Sequence, residues 1–336
     1  MGKLTIDDIA QALGVSKTTV SRAISGKGRI SAGTTERILS YIRQHDYHPN
    51  AMAQGLASRK TGNIGVICQK EYDVFNLPYF HHCLQGIHDE TGPAGYDLLI
   101  SMTGDEDLTQ LERVVMNRKV DGVILTTSLV EDKAATYLKE TGMPFVQIGT
   151  SEDEDVLYVD NDHLGACRAM TRALLRKGYT HLALVGGDSV QMISQIRRRG
   201  YLEACRAEGK TAQEQLIFMD SMTSGSLGEV ADRILESGAD GVICMDEKLT
   251  DLFLQELNQR QVRIPEDLMV ASFYNSEVLE HAGPGITAVD VDDRKLGREA
   301  ARTLLSVLDG HEEHSHYMTD YKILLRESTA PAAGSV

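Results

Sequence analysis

Positive charge, cysteine and long apolar runs are all scarce in this chain, and each scarcity removes a class of protein. The 336 residues carry 34 Lys and Arg against 49 Asp and Glu, a net charge of −15. Spread evenly, that balance would repel nucleic acid. There are five cysteines, Cys68, Cys83, Cys167, Cys205 and Cys244. They are odd in number, widely spaced and mostly set in apolar runs, which excludes a disulfide framework and fits buried thiols of a reducing compartment. No apolar stretch approaches membrane length and no secretory leader precedes residue 4, so a cytoplasmic protein with no membrane partner is expected. Catalytic signatures are missing too: no Gly-x-Ser-x-Gly, no phosphate loop ending in Lys-Ser/Thr, no His-Glu-x-x-His. The expectation is a chain that is not an enzyme and carries no cofactor and no metal. Residues 311–316 (His-Glu-Glu-His-Ser-His) hold ligand-type side chains but read as a solvated charged loop, as do the acidic residues 151–155.

What is present begins at residue 4. Ile6, Ile9, Ala10 and Leu13 form one apolar stripe, which Val15, Val20 and Ile24 can meet across a tight Gly14-Val15 turn. Thr5 can cap the first helix with Asp8 three residues on, and Ser16 can cap the second. This is a helix-turn-helix, and the polar face left on its second helix is Lys17, Thr18, Ser21 and Arg22. Ser31 can cap a third helix that closes the small core through Ile38, Leu39 and Ile42. Residues 1–60 hold nine Lys and Arg against four acids, a charge of +5 that leaves −20 on the rest. A basic head on an acidic body can neutralise phosphates at one end and repel DNA elsewhere.

Past Tyr47-His48-Pro49, Asn50 can cap a short helix over about 51–57. Two turns are too few to persist alone, and Gly55 costs roughly 1 kcal/mol relative to Ala. From residue 61 on, apolar runs at 64–68, 97–101, 122–126, 145–148, 182–185, 216–219, 241–245 and 269–273 alternate with helical stretches. Such alternation predicts parallel sheets covered on both faces. About 270 residues suit two sub-domains better than one. The echo of Val120-Asp121-Gly122-Val123-Ile124 in Ala239-Asp240-Gly241-Val242-Ile243 agrees. Two such halves leave a ligand cleft at the carboxyl ends of their strands.

Thr5–Ala10, Gly14-Val15-Ser16, Thr19-Val20-Ser21-Arg22 and Tyr47-x-Pro49-Asn50-x-x-Ala53-x-x-Leu56 resemble the headpiece of the lactose-repressor (LacI/GalR) family of bacterial transcription regulators. The resemblance runs nearly the full length, to Arg326-Glu327-Ser328-Thr329-Ala330-Pro331. It implies a helix-turn-helix headpiece over 1–47, a linker and hinge helix over 48–60, and a core over 61–331, followed by a tail over 332–336. The core would be periplasmic-binding-protein-like, its first half 61–160 and 291–318, its second 161–290 and 319–331. The resemblance puts Lys17, Thr18 and Arg22 on base edges, and Thr19, Ser31 and Thr34 on the phosphate backbone. Asn50, Ala53 and Leu56 become a hinge whose leucine wedges into the minor groove.

For an effector between the halves the expected residues are Arg197, Asp246, Tyr274, Tyr72, Asp73 and Phe75. Arg197 matches a family arginine that points into the cleft, and its neighbours Arg198 and Arg199 face other ways. The chain departs from the family at Met245-Asp246, Tyr274-Asn275 and Gly149, where acidic or amide residues are usual. With an arginine kept and two acidic positions changed, the expected ligand is a sugar acid or phosphorylated sugar. The implied function is a repressor controlled by a carbohydrate-related effector, acting as a homodimer on a near-palindromic operator. Two alternatives stay open: a sugar-binding or sugar-processing protein with an incidental helical head, and a regulator controlled by a protein partner.

Overall fold

The computed structural model describes residues 4–26, 28–47, 60–71, 77–221, 227–311 and 317–330. The chain divides into two compact units, Met1–Thr61 and Gly62–Val336. The first contains α1 (Ile6–Leu13), α2 (Lys17–Ser25) and α3 (Ala32–Gln44). Each begins at its expected cap. Thr5 and Asp8 form a reciprocal capping box, in which the Thr5 amide donates to Asp8 Oδ2 at 2.8 Å. Ser16 Oγ accepts from the Thr19 amide at 3.1 Å, and Ser31 Oγ from the Thr34 amide at 3.2 Å. Gly14 turns the chain between α1 and α2 in the left-handed conformation, φ 64°. Ile9, Ala10, Val20, Ala23 and Ile38 are buried together, with Leu13, Val15 and Ile24 packed around them.

In the second unit β1 (Asn63–Gln69), α4 (Pro78–Thr91), β2 (Asp97–Thr103), α5 (Thr109–Met116), β3 (Gly122–Leu125), α6 (Lys133–Thr141), β4 (Phe145–Ile148) and β5 (Tyr158–Asn161) come first. The chain continues through α7 (His163–Arg176), β6 (Leu182–Val185), α8 (Met192–Ala207), β7 (Ile217–Phe218), α9 (Leu227–Glu236), β8 (Gly241–Cys244), α10 (Glu247–Gln259), β9 (Met269–Ser272), α11 (Glu277–Glu280) and β10 (Thr287–Val291). It ends with α12 (Asp293–Leu308), β11 (Tyr317–Thr319) and β12 (Tyr321–Leu324). The strands form two six-stranded sheets, ordered β11-β5-β4-β3-β1-β2 and β12-β10-β9-β8-β6-β7.

Four strands escape the sequence pattern: β5, β10, β11 and β12. They are three to five residues long and interrupted by polar residues such as Asp160, Asp290 and Lys322, so none forms an apolar run. They are also where the chain changes sheet: after β5, after β10, and again between β11 and β12. One expectation needs correcting. The second sheet is not wholly parallel, because β12 runs antiparallel to β10. Strand β11 pairs parallel with β5. The single residue Asp320 leaves no room for a crossover, so β12 enters the second sheet from the carboxyl-end side and must run against its neighbours.

Alternation along β1 sends Ile64, Val66 and Cys68 to a core shared with α4 and α12, and Ile67 to a core shared with α5 and α6. Helix α12 follows the second sheet in sequence yet covers the first. It crosses α4 so closely that a Cβ at Gly86 would overlap the Arg294 carbonyl, and one at Gly297 the Cys83 carbonyl. In the second sheet, Val185, Val242 and Val270 face α9 and α10, while Leu184, Ile243 and Ala271 face α7 and α8. All five cysteines are buried and unpaired. Among the described residues no helix is long and apolar enough to cross a membrane.

Candidate functional site

On the first unit, α2 buries Val20 and Ala23 and leaves Lys17, Thr18, Ser21 and Arg22 exposed. Lys17 Nζ forms an ion pair with Asp7 on α1, exposed on both sides and therefore weak enough to exchange for a phosphate or a base. The stem of Arg22 lies along the next loop, where a Cβ at Gly28 would stand 3.0 Å from Arg22 Cδ. Thr19, Ser31 and Thr34 sit at the N-terminal turns of α2 and α3. Their hydroxyls are engaged locally, Thr19 Oγ1 2.8 Å from Ser16 Oγ and Ser31 Oγ 2.8 Å from Thr34 Oγ1. Helix N-termini carry spare N–H groups and the positive end of the dipole, which suits phosphate. Asn50, Ala53 and Leu56 lie outside the described residues, as do Tyr72, Asp73 and Phe75.

On the second unit, a cavity of about 440 Å³ opens between the carboxyl ends of the two sheets. Thr126, Gly149 and Asp160 reach it from the ends of β3, β4 and β5; Gly187, Asp246 and Tyr274 from the ends of β6, β8 and β9. Gly149, one of the departures from the family pattern, has φ 108°, and a Cβ there would meet Ser128 Oγ at 2.5 Å. The backbone needs a glycine at that point.

Arg197 is the centre of the site. It is buried in the cleft wall, while Arg198 is half-buried and Arg199 exposed near Glu203, as consecutive helix positions require. Arg197 Nη1 donates to the Met245 carbonyl, and its Nε has no hydrogen-bond partner among the described residues. The guanidinium charge acts on Asp160, Asp246 and Asp293, pulling each carboxyl down against burial, which pushes each up more strongly. Asp246 caps α10 by accepting from the Leu249 amide at 2.8 Å. Tyr274 does reach the cleft, but its hydroxyl donates to Asp293 Oδ2, bridging the two halves. Asn275 is no lining residue; it donates to Asp290 Oδ1 and accepts from Arg326 Nη1, both at 2.9 Å.

Among the lining residues that sequence does not single out are Asp160, His163 and Asp293. Asp160 takes hydrogen bonds from the Thr150 amide and hydroxyl. His163, the first residue of α7, lies with Nε2 3.4 Å from Asp160 Oδ1. Burial, aided by the Arg197 charge, holds its pKa well below the usual histidine value, so it is neutral near pH 7. Asp293 is held up at about 7 by burial, opposed by the Tyr274 hydrogen bond and Arg197 and reinforced by Asp292 and Asp290. The signal that could have found Asp160 and Asp293 is their place at sheet-to-sheet crossings, which lie at the cleft by construction.

The cavity wall carries more carboxyl groups than cations. Among the described lining residues, Glu71, Asp160, Asp188, Asp246, Glu247 and Asp293 are acids and Arg197 and Lys248 are cations, and Glu71 also has Lys70 beside it. The acids missing at the family positions come in from the crossings instead. The halves also touch directly. The Val130 amide donates to the Val190 carbonyl at 2.9 Å and the Met192 amide to the Ser128 carbonyl at 3.1 Å, an antiparallel bridge of Leu129 with Gln191. Among the described residues no group of three or more His, Cys, Asp or Glu is arranged to hold a metal.

Residues 5–50 match the family described as bacterial regulatory proteins, lacI family, and residues 171–329 match the periplasmic binding protein-like domain. The HTH-type transcriptional regulator MalR of Staphylococcus xylosus is 30% identical over 342 residues, 97% of this chain and 98% of that protein. Among solved structures, a complex of the transcriptional regulator CelR with cellobiose is similar with a TM-score of 0.74 and 27% identity, covering 97% of this chain and 99% of that one. A lac repressor dimer bound to operator has the same fold, with a TM-score of 0.82 at 19% identity over 98% of this chain and 100% of that one. The chain belongs to the LacI family of bacterial regulatory proteins and is a helix-turn-helix transcriptional regulator.

Proposed function

We propose that the protein is a cytoplasmic repressor, without enzymatic activity, whose hold on a near-palindromic operator is set by a carbohydrate-related effector in the cleft. The observation that carries this reading is the exposed face of Lys17, Thr18 and Arg22 on α2, in a chain whose second unit encloses a largely apolar cavity set with carboxyl groups and Arg197. Headpiece 1–47 reads DNA: Lys17, Thr18 and Arg22 take base edges, and Thr19, Ser31 and Thr34 take phosphates. Asn50, Ala53 and Leu56 in the linker 48–60 fold on the operator, with Leu56 as a minor-groove wedge. A homodimer supplies one headpiece to each half-site.

Core halves 61–160 with 291–318 and 161–290 with 319–331 enclose the effector, which Arg197, Asp246 and Tyr274 hold, with Tyr72, Asp73 and Phe75 on the opposite wall. The cellobiose bound to the relative CelR supports a carbohydrate. So does the cleft's mixture of acceptors and apolar wall, which suits hydroxyl donors. An effector that bridges both halves favours one angle between them and so changes the spacing of the hinges. A differential affinity of a few kcal/mol is enough for a switch.

Footprinting of DNA near the protein's own gene, with and without a sugar panel, tests this. A protected near-palindrome whose occupancy changes with one sugar supports it, and no protected sequence overturns it. Leu56→Ala should weaken operator binding and leave non-specific affinity nearly unchanged. Equal losses on both would remove the wedge.

A further inference from the structure

We infer that the effector carries a protonated amine beside its hydroxyl groups, as an amino sugar does, and that the ammonium docks on Asp293. This rests on the carbohydrate reading above and narrows it. Two independent observations lead to it. The first is the composition of the cleft: among the described residues six carboxyl groups line it, four of them raised by burial and Glu71 set beside Lys70, against the lining cations Arg197 and Lys248, and His163 adds no charge. A sugar acid or phosphate would add to that imbalance, a neutral sugar would leave it, and an ammonium reduces it.

The second is Asp293 itself. The residue is 4% exposed and lines the cavity. Tyr274 donates to Oδ2, which leaves Oδ1 as a buried acceptor with no partner among the described residues. A buried acceptor of that kind is costly unless something fills it. Arg197 does not fill it: its Nη1 is committed to the Met245 carbonyl and its charge is shared with Asp160 and Asp246. The groups facing Asp293 are Asp290 and Asp292 on its own chain segment, Tyr274 after β9, Arg197 on α8, and Tyr79 and Cys83 on α4. Only one of these is a cation. A carboxyl held at about 7 by burial is one whose ionised form lacks compensation, and an ammonium at Oδ1 supplies it.

The test compares matched ligands on the full-length protein: hexosamines and their oligosaccharides, the N-acetyl derivatives, the neutral parent sugars and the uronic acids. Thermal shift at pH 7 finds binders and calorimetry ranks them. At least one amine should bind about tenfold or more tightly than both its N-acetyl derivative and its neutral parent, the worth of one charge-assisted hydrogen bond. Asp293→Asn should bring the ratio of amine to neutral-parent affinity most of the way back to one, whatever it does to the affinity of either alone. Neutral or acidic sugars binding as well as the amines would overturn the amine and leave the carbohydrate effector standing. An amine preference that survives in Asp293→Asn overturns the docking point. Stabilisation by no sugar of any kind overturns both readings. The N-acetyl comparison needs no variant, so the inference stays testable if Asp293→Asn does not fold.

Discussion

The basic headpiece and the acidic cleft carry their chemistry in opposite ways. Lys17, Thr18 and Arg22 lie within two turns of one short helix, exposed, and are not part of the core that Ile9, Val20 and Ile38 make. Arg197, Asp246, Asp293 and Asp160 come from four separate elements and are joined by burial and mutual charge. In the headpiece, then, reading DNA and staying folded are separable. In the cleft they are not, because the residues proposed to hold ligand also neutralise one another.

The largest effect that could break this contrast is at Arg197. Arg197→Ala leaves three carboxylates without their shared cation and strips the Met245 carbonyl of its donor. Removing one partner of a buried charge cluster typically costs roughly 3–5 kcal/mol. Urea unfolding of the full chain should show the core transition moved to lower denaturant, with effector response lost. An unchanged midpoint would mean that the carboxylates were already protonated or solvated, and that the cleft is as separable as the headpiece.

Arg22→Ala tests the other side. It should cost roughly 1–3 kcal/mol of operator binding, the weight of a base-edge contact. The unfolding midpoint should stay within about 0.5 kcal/mol, as for exposed positions generally. Loss of operator binding together with loss of headpiece stability would show that the stem packed on Gly28 is structural, and would blur the comparison.

The same contrast explains what was legible in the sequence. Every headpiece feature is local: the capping box of Thr5 with Asp8, the caps Ser16 and Ser31, the Gly14 turn and the apolar stripe each span a few residues, so periodicity and spacing reveal them. Most core elements were legible for the same reason, since short, unbroken apolar runs make the central strands. The cleft was half legible. Arg197, Asp246 and Tyr274 stand at the ends of ordinary strands or on the helix that follows, where a ligand site is expected in any open α/β sheet. Asp160 and Asp293 belong to crossings marked by short, polar strands that resemble loops. Their pairing with Arg197 depends on contacts between residues more than thirty apart, and no local pattern encodes that.

The smallest effect sharpens the comparison where the headpiece is most self-contained. Thr5→Ala removes the side-chain half of the capping box of α1, which typically costs about 1 kcal/mol. Amide exchange across α1 in the full-length protein should quicken, while exchange in β1 and β8 stays as it was. The Thr5 hydrogen bonds hold the Asp8 carboxyl below its usual pKa. That part of the cap is therefore present above the ordinary carboxylate range and lost as pH falls through it. The difference between Thr5→Ala and the parent should accordingly shrink on acidification. A difference that persists at low pH would assign the cap to the threonine hydroxyl alone, and Asp8 would then help α1 through its charge at the helix N-terminus rather than through its bond to Thr5.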